Sequence, residues 1–244
     1  MAHDAPVIII PARLGSNRLP SKPLLEINGE PLILHVWRQA QEADIAPVYV
    51  ATDSQIVAKI ILDAGGNALI TQSNHASGSD RIFEALTRLD PEGQFRKIIN
   101  LQGDQFGLSR DALTQAIALL DRPDVDIGTL ATRMSPAQVN DQNSVKVVAA
   151  MENSHRARAL YFTRAPAPWG EGSMLQHIGV YAFKRESLMR FSKLSPSPLE
   201  LREKLEQLRA LEAGMRIDLA LVDHSGLSVD TYEDIENLNF GLAD

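Results

Sequence analysis

The stretch PVIIIPARLGSNRLPSKPLLEINGEP, residues 6–31, decides the fold. The β-branched run of residues 7–10, held between Pro6 and Pro11, reads as a short strand buried on both faces, as strands of parallel sheets are. The next residues cannot continue it, because Arg13, Arg18 and Lys22 stand among Gly15, Ser16, Pro20 and Pro23. Gly15 and Ser16 let backbone N–H groups approach an anion, and the three cations neutralise it. The loop has neither the GK[ST] of a P-loop nor the GxGxxG of a dinucleotide fingerprint. A triphosphate is the anion it fits best, and the same residues would also make a solvated basic turn.

Outward from this stretch, strand-like runs alternate with helical patterns. Leu32, Ile33, Val36, Trp37 and Ala40 recur at helical spacing, and residues 48–51 read as a second strand. Asp53 or Ser54 can cap a helix that Gly65 and Gly66 end. A strand over residues 68–71, a helix from about 80 to 89 and a strand over 97–101 continue the pattern. Such β-α-β-α order implies a largely parallel sheet with helices on both faces. Strands near 127–131, 145–149 and 178–183 lack clean alternating helices, and residues 166–172 are the best candidate for a mobile loop. No repeat, low-complexity segment or linker separates two folding units, so residues 1–244 are expected to form one α/β domain.

Composition narrows the function. A net charge of -7, with 44% hydrophobic and 23% charged residues, argues against a nucleic-acid or anionic-membrane surface, so the clustered cations point to a small anionic ligand. Without cysteine, thiol catalysis, cysteine-bound metals and disulfides are excluded. No apolar run resembles a signal peptide or reaches membrane-spanning length, and the expected location is the cytoplasm.

In doubly wound sheets ligands bind beyond the carboxyl ends of strands, and two further polar stretches fall at such places. One is Leu101-Gln102-Gly103-Asp104, where Asp104 could hold Mg²⁺ against substrate phosphates or be an ordinary turn aspartate. The other is Val229-Asp230-Thr231-Tyr232-Glu233, whose spacing favours Asp230 as the N-cap of the last helix with Glu233 as its capping-box partner. Ser197-Pro198-Leu199-Glu200 opens a helix expected to bury Leu201, Leu205, Leu208 and Leu211, with Glu206 and Gln207 on a solvated face. His177 reads as a structural histidine, and His3, His35, His75, His155 and His224 have no metal-like spacing.

Taken together, ARLGSNRLPSKPL (12–24), ATD (51–53), SGSDR (77–81), LQGD (101–104), NSVKVV (143–148), YFTRAPAPW (161–169), HIGVYAF (177–183), SPLELREKLEQLRAL (197–211) and VDTYEDIE (229–236) resemble the 3-deoxy-manno-octulosonate cytidylyltransferase family. The resemblance runs in order over nearly the whole chain. It implies a Rossmann-like nucleotidyltransferase fold with a mainly parallel central sheet and a smaller mixed α/β subregion. It further implies a cytoplasmic homodimer that joins CTP and the acid sugar Kdo, with Mg²⁺, for lipopolysaccharide biosynthesis. Carried over by position, Arg13, Ser16, Arg18 and Lys22 match the loop around the CTP phosphates. Asp53, Ser77, Gly78 and Arg81 match the region near cytosine and ribose, and Asp104 and Asp230 match the metal carboxylates. Gln102, Arg164, His177, Tyr181, Glu206 and Gln207 match positions lining the acid-sugar site, and the C-terminal half is expected to contribute to that site and to the dimer contacts. Lys22, Arg13, Asp104 and Asp230 are the residues on which catalysis should rest.

Two departures stand beside the match. Gln105 and Phe106 follow Asp104 where the family usually has Glu-Pro, and the segment from Trp169 to His177 is short. Both bear on substrate identity, and an 8-amino-3,8-dideoxy relative of Kdo is the alternative sugar. A module that binds the nucleotide without turnover is the alternative class.

Overall fold

A computed structural model describes residues 5–15, 19–224, 226–229 and 231–241, which form two compact units. The first comprises the chain up to Arg110 and from Gly226 onward, and the second is the segment between them, beginning at Asp111.

The first unit opens with β1 (Ala5–Ala12), in which Val7, Ile8, Ile9 and Ile10 are fully buried. A small hairpin, β2 (Glu26–Ile27) and β3 (Glu30–Pro31), leads into α1 (Leu32–Glu42). Next come β4 (Val48–Thr52), α2 (Gln55–Asp63), β5 (Asn67–Ile70), α3 (Gly78–Leu89), β6 (Phe95–Leu101) and the short β7 (Gln105–Phe106). Four strands form a parallel sheet in the order β5-β4-β1-β6. The chain lays strands down leftward from β1 and then returns to its other side, so the strand order reverses between β1 and β6. That reversal is where doubly wound sheets open a crevice at their carboxyl ends.

The second unit begins within α4 (Arg110–Ala118). It holds β8 (Ile127–Arg133), β9 (Lys146–Met151), β10 (Arg156–Thr163), β11 (Leu175–Lys184), α5 (Arg185–Phe191), α6 (Pro198–Glu203), α7 (Gln207–Glu212) and β12 (Ile217–Leu221). Its strands run β11-β8-β12-β10-β9, with only β12 and β8 parallel, and β9 returns to touch β11 at Gln176 and Lys146. This is the smaller mixed subregion expected beside the parallel sheet. The chain then completes the first unit with β13 (Leu227–Ser228), antiparallel to β7, and α8 (Tyr232–Gly241).

The structure chooses between two offered caps and changes two other local readings. Ser54, not Asp53, caps α2, its hydroxyl accepting from the Val57 N–H at 3.3 Å. The helix opened by Ser197 is two helices, because Lys204 adopts φ 57° and turns the chain. Leu201 is consequently 66% exposed, whereas Gln207 is buried among the core positions of α7. At the last helix the cap sits one residue later than its spacing indicates. The Thr231 hydroxyl accepts from the Asp234 N–H at 3.2 Å, and the Asp234 carboxylate accepts from the Thr231 N–H at 2.7 Å. Thr231 and Asp234 thus form a capping box at this helix start, while Asp230, read from the sequence as the cap, lies outside the described residues.

Candidate active site

In the first unit the site is built where β1 and β6 end. After Ala12 the chain leaves the sheet at Arg13, which is exposed. It returns through buried Leu19 into a tight turn where the Ser21 N–H donates to the Leu14 carbonyl at 3.1 Å. Ser21 takes φ 57° and Pro23 is buried next to Lys22, so the backbone at Lys22 is held in this turn. At the end of β6, Gly103 lies so near β1 that a Cβ would come within 2.8 Å of the Pro11 carbonyl oxygen, a distance only glycine allows. The turn beyond it, closed by the Gln105 N–H donating to the Gln102 carbonyl at 3.0 Å, presents Asp104. Lys22 Nζ donates to Asp104 Oδ2 at 2.5 Å, joining the two strand ends.

The residues matched to CTP phosphates and to metal therefore meet in one ion pair. Lys22 is 13% exposed and Asp104 31%, so the pair sits at the rim of the protein rather than inside it. The Val229 N–H donates to the Asp104 carbonyl at 3.1 Å, which anchors the returning segment beside this carboxylate. Ser16, Arg18 and Asp230 lie outside the described residues.

Beside this pair, α3 begins with Ser77, whose hydroxyl caps the helix by accepting from the Asp80 N–H at 3.2 Å. Gly78 lets that helix start pack on Gln102 and Pro11, since its Cβ would lie 3.3 Å from both. Gln102 Nε2 donates to Asn100 Oδ1 at 3.0 Å, and the fully buried Asn100 donates to Ser79 Oγ at 3.3 Å. Arg81, matched to the region near cytosine and ribose, is bonded to the protein itself. It is 2% exposed and donates to Asp53 Oδ2 at 3.0 Å, Thr71 Oγ1 at 2.5 Å and the Gln72 carbonyl at 3.1 Å. These contacts tie β4, β5 and the following loop to α3. Glu84 secures the same loop, accepting from the Gln72 N–H at 3.0 Å and from His75; burial raises its carboxyl, but these hydrogen bonds and the charge of Arg88 together hold it below the usual range.

The second unit holds the other candidates. His177, on β11, stands edge-on to Phe162 and beside Tyr181, with ring centroids 5.0 and 5.3 Å away. The Thr129 hydroxyl donates to the Val180 carbonyl at 2.7 Å, so its oxygen is left to accept from His177 Nε2–H at 3.0 Å. Burial pushes the His177 pKa down to about 3, so the ring is neutral. Burial, with the charge of Glu206, pushes the Tyr181 hydroxyl up, which places Glu206 near it. Gln207 is 4% exposed, and its Nε2 has no hydrogen-bond partner among the described residues. A buried amide donor costs free energy unless something accepts from it, which makes Gln207 the strongest sign of a polar ligand in this unit. Arg164 does not present a bare guanidinium: Nε donates to the Glu203 carbonyl at 3.1 Å and Nη1 to the Gln142 carbonyl at 2.8 Å.

Two residues given no role by motif reading organise this region. Glu203 accepts from Thr163 Oγ1 and from the Arg164 N–H, each at 3.0 Å. Lys146 is fully buried and donates to the carbonyls of Asp141 at 2.5 Å and Arg164 at 3.2 Å, with its pKa lowered by burial. The signal for Lys146 was a lysine inside the valine run of NSVKVV, since a cation in a buried strand needs acceptors.

The neutral state of His177 has a consequence for stability. Its pKa is about 3 in the folded chain against roughly 6.5 unfolded, so the unfolded chain binds the proton first as pH falls. The stabilisation is complete above about pH 6.5 and is lost toward the folded value, by about 1.4 kcal/mol per pH unit. The stability gap between the wild type and His177→Gln, read from urea melts, should narrow by roughly 2 kcal/mol from pH 7 to pH 5. An unchanged gap would mean the ring is not held neutral.

A doubly wound parallel sheet with a basic loop and an acidic turn facing each other at its switch point defines a nucleotide-handling transferase. The cytidylyltransferase family model matches residues 7–217, and the chain belongs to that family. Among curated relatives, the 3-deoxy-manno-octulosonate cytidylyltransferase of Rhodopseudomonas palustris (strain BisB18) is 49% identical over 244 residues, covering 100% of both chains. That of Methylorubrum populi is 51% identical over 239 residues, covering 98% of this chain and 97% of the relative. A solved structure of CMP:2-keto-3-deoxy-manno-octonic acid synthetase complexed with CTP is 38% identical, covers 98% of each chain and superposes with a TM-score of 0.88. The chain is a nucleotidyltransferase.

Proposed function

We propose that this cytidylyltransferase joins CTP to Kdo, giving CMP-Kdo and pyrophosphate for lipopolysaccharide assembly. The observation that carries the reading is the Lys22–Asp104 pair at the switch point, where a phosphate-binding cation and a metal-binding carboxylate are wanted together. The relatives' names and the CTP complex among the solved structures support the same substrates. Arg13, Ser16, Arg18 and Lys22 would hold the triphosphate, with Asp53, Ser77, Gly78 and Arg81 near the nucleoside. Gln102 in the first unit, and Arg164, His177, Tyr181, Glu206 and Gln207 in the second, are the residues we assign to the sugar, Gln207 through an amide without a partner among the described residues.

The donor set fits Mg²⁺. Among the described residues no three acidic or histidine side chains gather into a metal cage, whereas Mg²⁺ in phosphoryl transfer needs one or two carboxylates plus substrate oxygens. Asp104 supplies one, and Asp230, following the Val229 that is anchored to Asp104, would supply the other. When bound, the metal polarises the α-phosphate and lowers the pKa of a coordinated hydroxyl. The chain's own contribution is positioning the sugar's 2-hydroxyl in line with the departing pyrophosphate, and Lys22 and the arginines offset the charge that grows on it. Because the second unit interrupts the first, we read residues 1–244 as one catalytic domain. We also propose a cytoplasmic homodimer, on the family likeness and on the exposed Met151 and Leu160 of strands β9 and β10; no helix among the described residues is long and apolar enough to cross a membrane.

Pyrophosphate release with CTP and a panel of acid sugars tests the reading. Kdo should be preferred over its 8-amino analogue in kcat/KM, and CTP over UTP, since a pocket that bonds the cytosine amino group leaves buried partners unpaired with a carbonyl. Gln105, standing where the family usually has a glutamate, is buried against β13, with its amide 3.1 Å from the position a Gly226 Cβ would take. A preference for the amino sugar would replace Kdo. Absence of activity with CTP on either sugar would sink the proposal.

A further inference from the structure

Lys22 and Asp104 are each held in place by backbone they do not share. Lys22 sits in a turn where its N–H donates to the Leu19 carbonyl and its own carbonyl accepts from the Leu25 N–H, both at 3.2 Å. Asp104 is fixed by the 3.0 Å turn bond from Gln105 to Gln102 and by the 3.1 Å bond from Val229. The bond between their side chains, 2.5 Å from Nζ to Oδ2, therefore depends on how the flexible lysine stem is placed. A carboxylate oxygen in such contact with an ammonium is a poor ligand for a divalent cation, because the two positive charges would stand a few ångströms apart at a half-buried site. Only a group that attracts the ammonium more strongly than Asp104 does can release that oxygen, and a polyphosphate is such a group.

We propose that Lys22 is a gate on metal loading: its ammonium guards Asp104 and yields it when a polyphosphate captures the lysine. The inference rests on Asp104 being a metal ligand of the proposed reaction and adds an order of events. The same lysine that later neutralises the leaving group keeps a divalent cation from settling on Asp104 ahead of the nucleotide. Nucleotide and metal are then positively coupled, and by linkage each raises the affinity for the other.

The experiment uses the full chain and Mn²⁺ alone, with free Mn²⁺ followed by its electron paramagnetic resonance signal. Lys22→Met and Lys22→Gln should each bind Mn²⁺ about fivefold more tightly than the wild type, the effect of removing a competing ion pair worth about 1 kcal/mol. Adding Asp104→Asn to either variant should erase the gain. The proposal is overturned if neither variant binds more tightly, or if the gain survives Asp104→Asn. Nucleotide and sugar are absent from this titration, so its result stands apart from the turnover assay that tests the reaction itself. Absence of turnover by the wild type with CTP and Kdo, alongside an intact Mn²⁺ gain in the Lys22 variants, would indict the substrate assignment and leave the gate standing.

Discussion

Lys22→Ala should lower turnover at saturating CTP by at least about a hundredfold, the usual cost of removing one preorganised charge from a phosphoryl centre. Its effect on folding should be small by comparison. The lysine gives up its contact with Asp104, but that carboxylate is 31% exposed, and water can replace the ammonium there. Pairs so exposed contribute about 1 kcal/mol or less, so the melting midpoint should hardly move. The loss should appear in kcat more than in KM, because charge on the departing pyrophosphate grows mostly in the transition state. A variant that keeps wild-type turnover would remove Lys22 from the phosphate site and reduce its bond with Asp104 to a surface ion pair.

How far the chain can be read without its fold depends on the range of each interaction. The strands of the parallel sheet are legible because each is a short β-branched run buried on both faces, and the alternation with helices follows from the crossovers such a sheet requires. The switch-point site is legible for the same reason, since Arg13 and Asp104 fall directly after strands whose ends can be counted. The break at Lys204 is not, because REKLEQL is made of good helix formers and a lysine gives no local sign of a left-handed turn. The last helix can be misplaced by one residue because DTYED holds two overlapping capping boxes, Asp230 with Glu233 and Thr231 with Asp234. Only the hydrogen bonds choose between them. Arg81 is the least legible, since its partners Asp53 and Thr71 lie 28 and 10 residues away and nothing in SGSDR distinguishes an arginine that binds ligand from one that binds the protein.

Arg81 therefore yields the converse of the Lys22 result. Arg81→Ala should destabilise the chain by about 3–5 kcal/mol, the range seen when one partner of a buried ion pair is removed. The guanidinium is 2% exposed, and removing it strands the Asp53 carboxylate, the Thr71 hydroxyl and the Gln72 carbonyl together. Lysine cannot repair this, because one ammonium lacks the planar fork that reaches a carboxylate and two neutral acceptors at once, so Arg81→Lys should recover only part of the loss. Affinity for CTP should weaken as a secondary effect, since Arg81 tethers the loop from Gln72 to Ser77 that leads into the cap of α3. The two roles separate in a paired measurement of urea stability and CTP binding. A variant that melts within about 1 kcal/mol of the wild type yet loses CTP affinity would make Arg81 a ligand contact, with the nucleotide drawing its side chain away from Asp53.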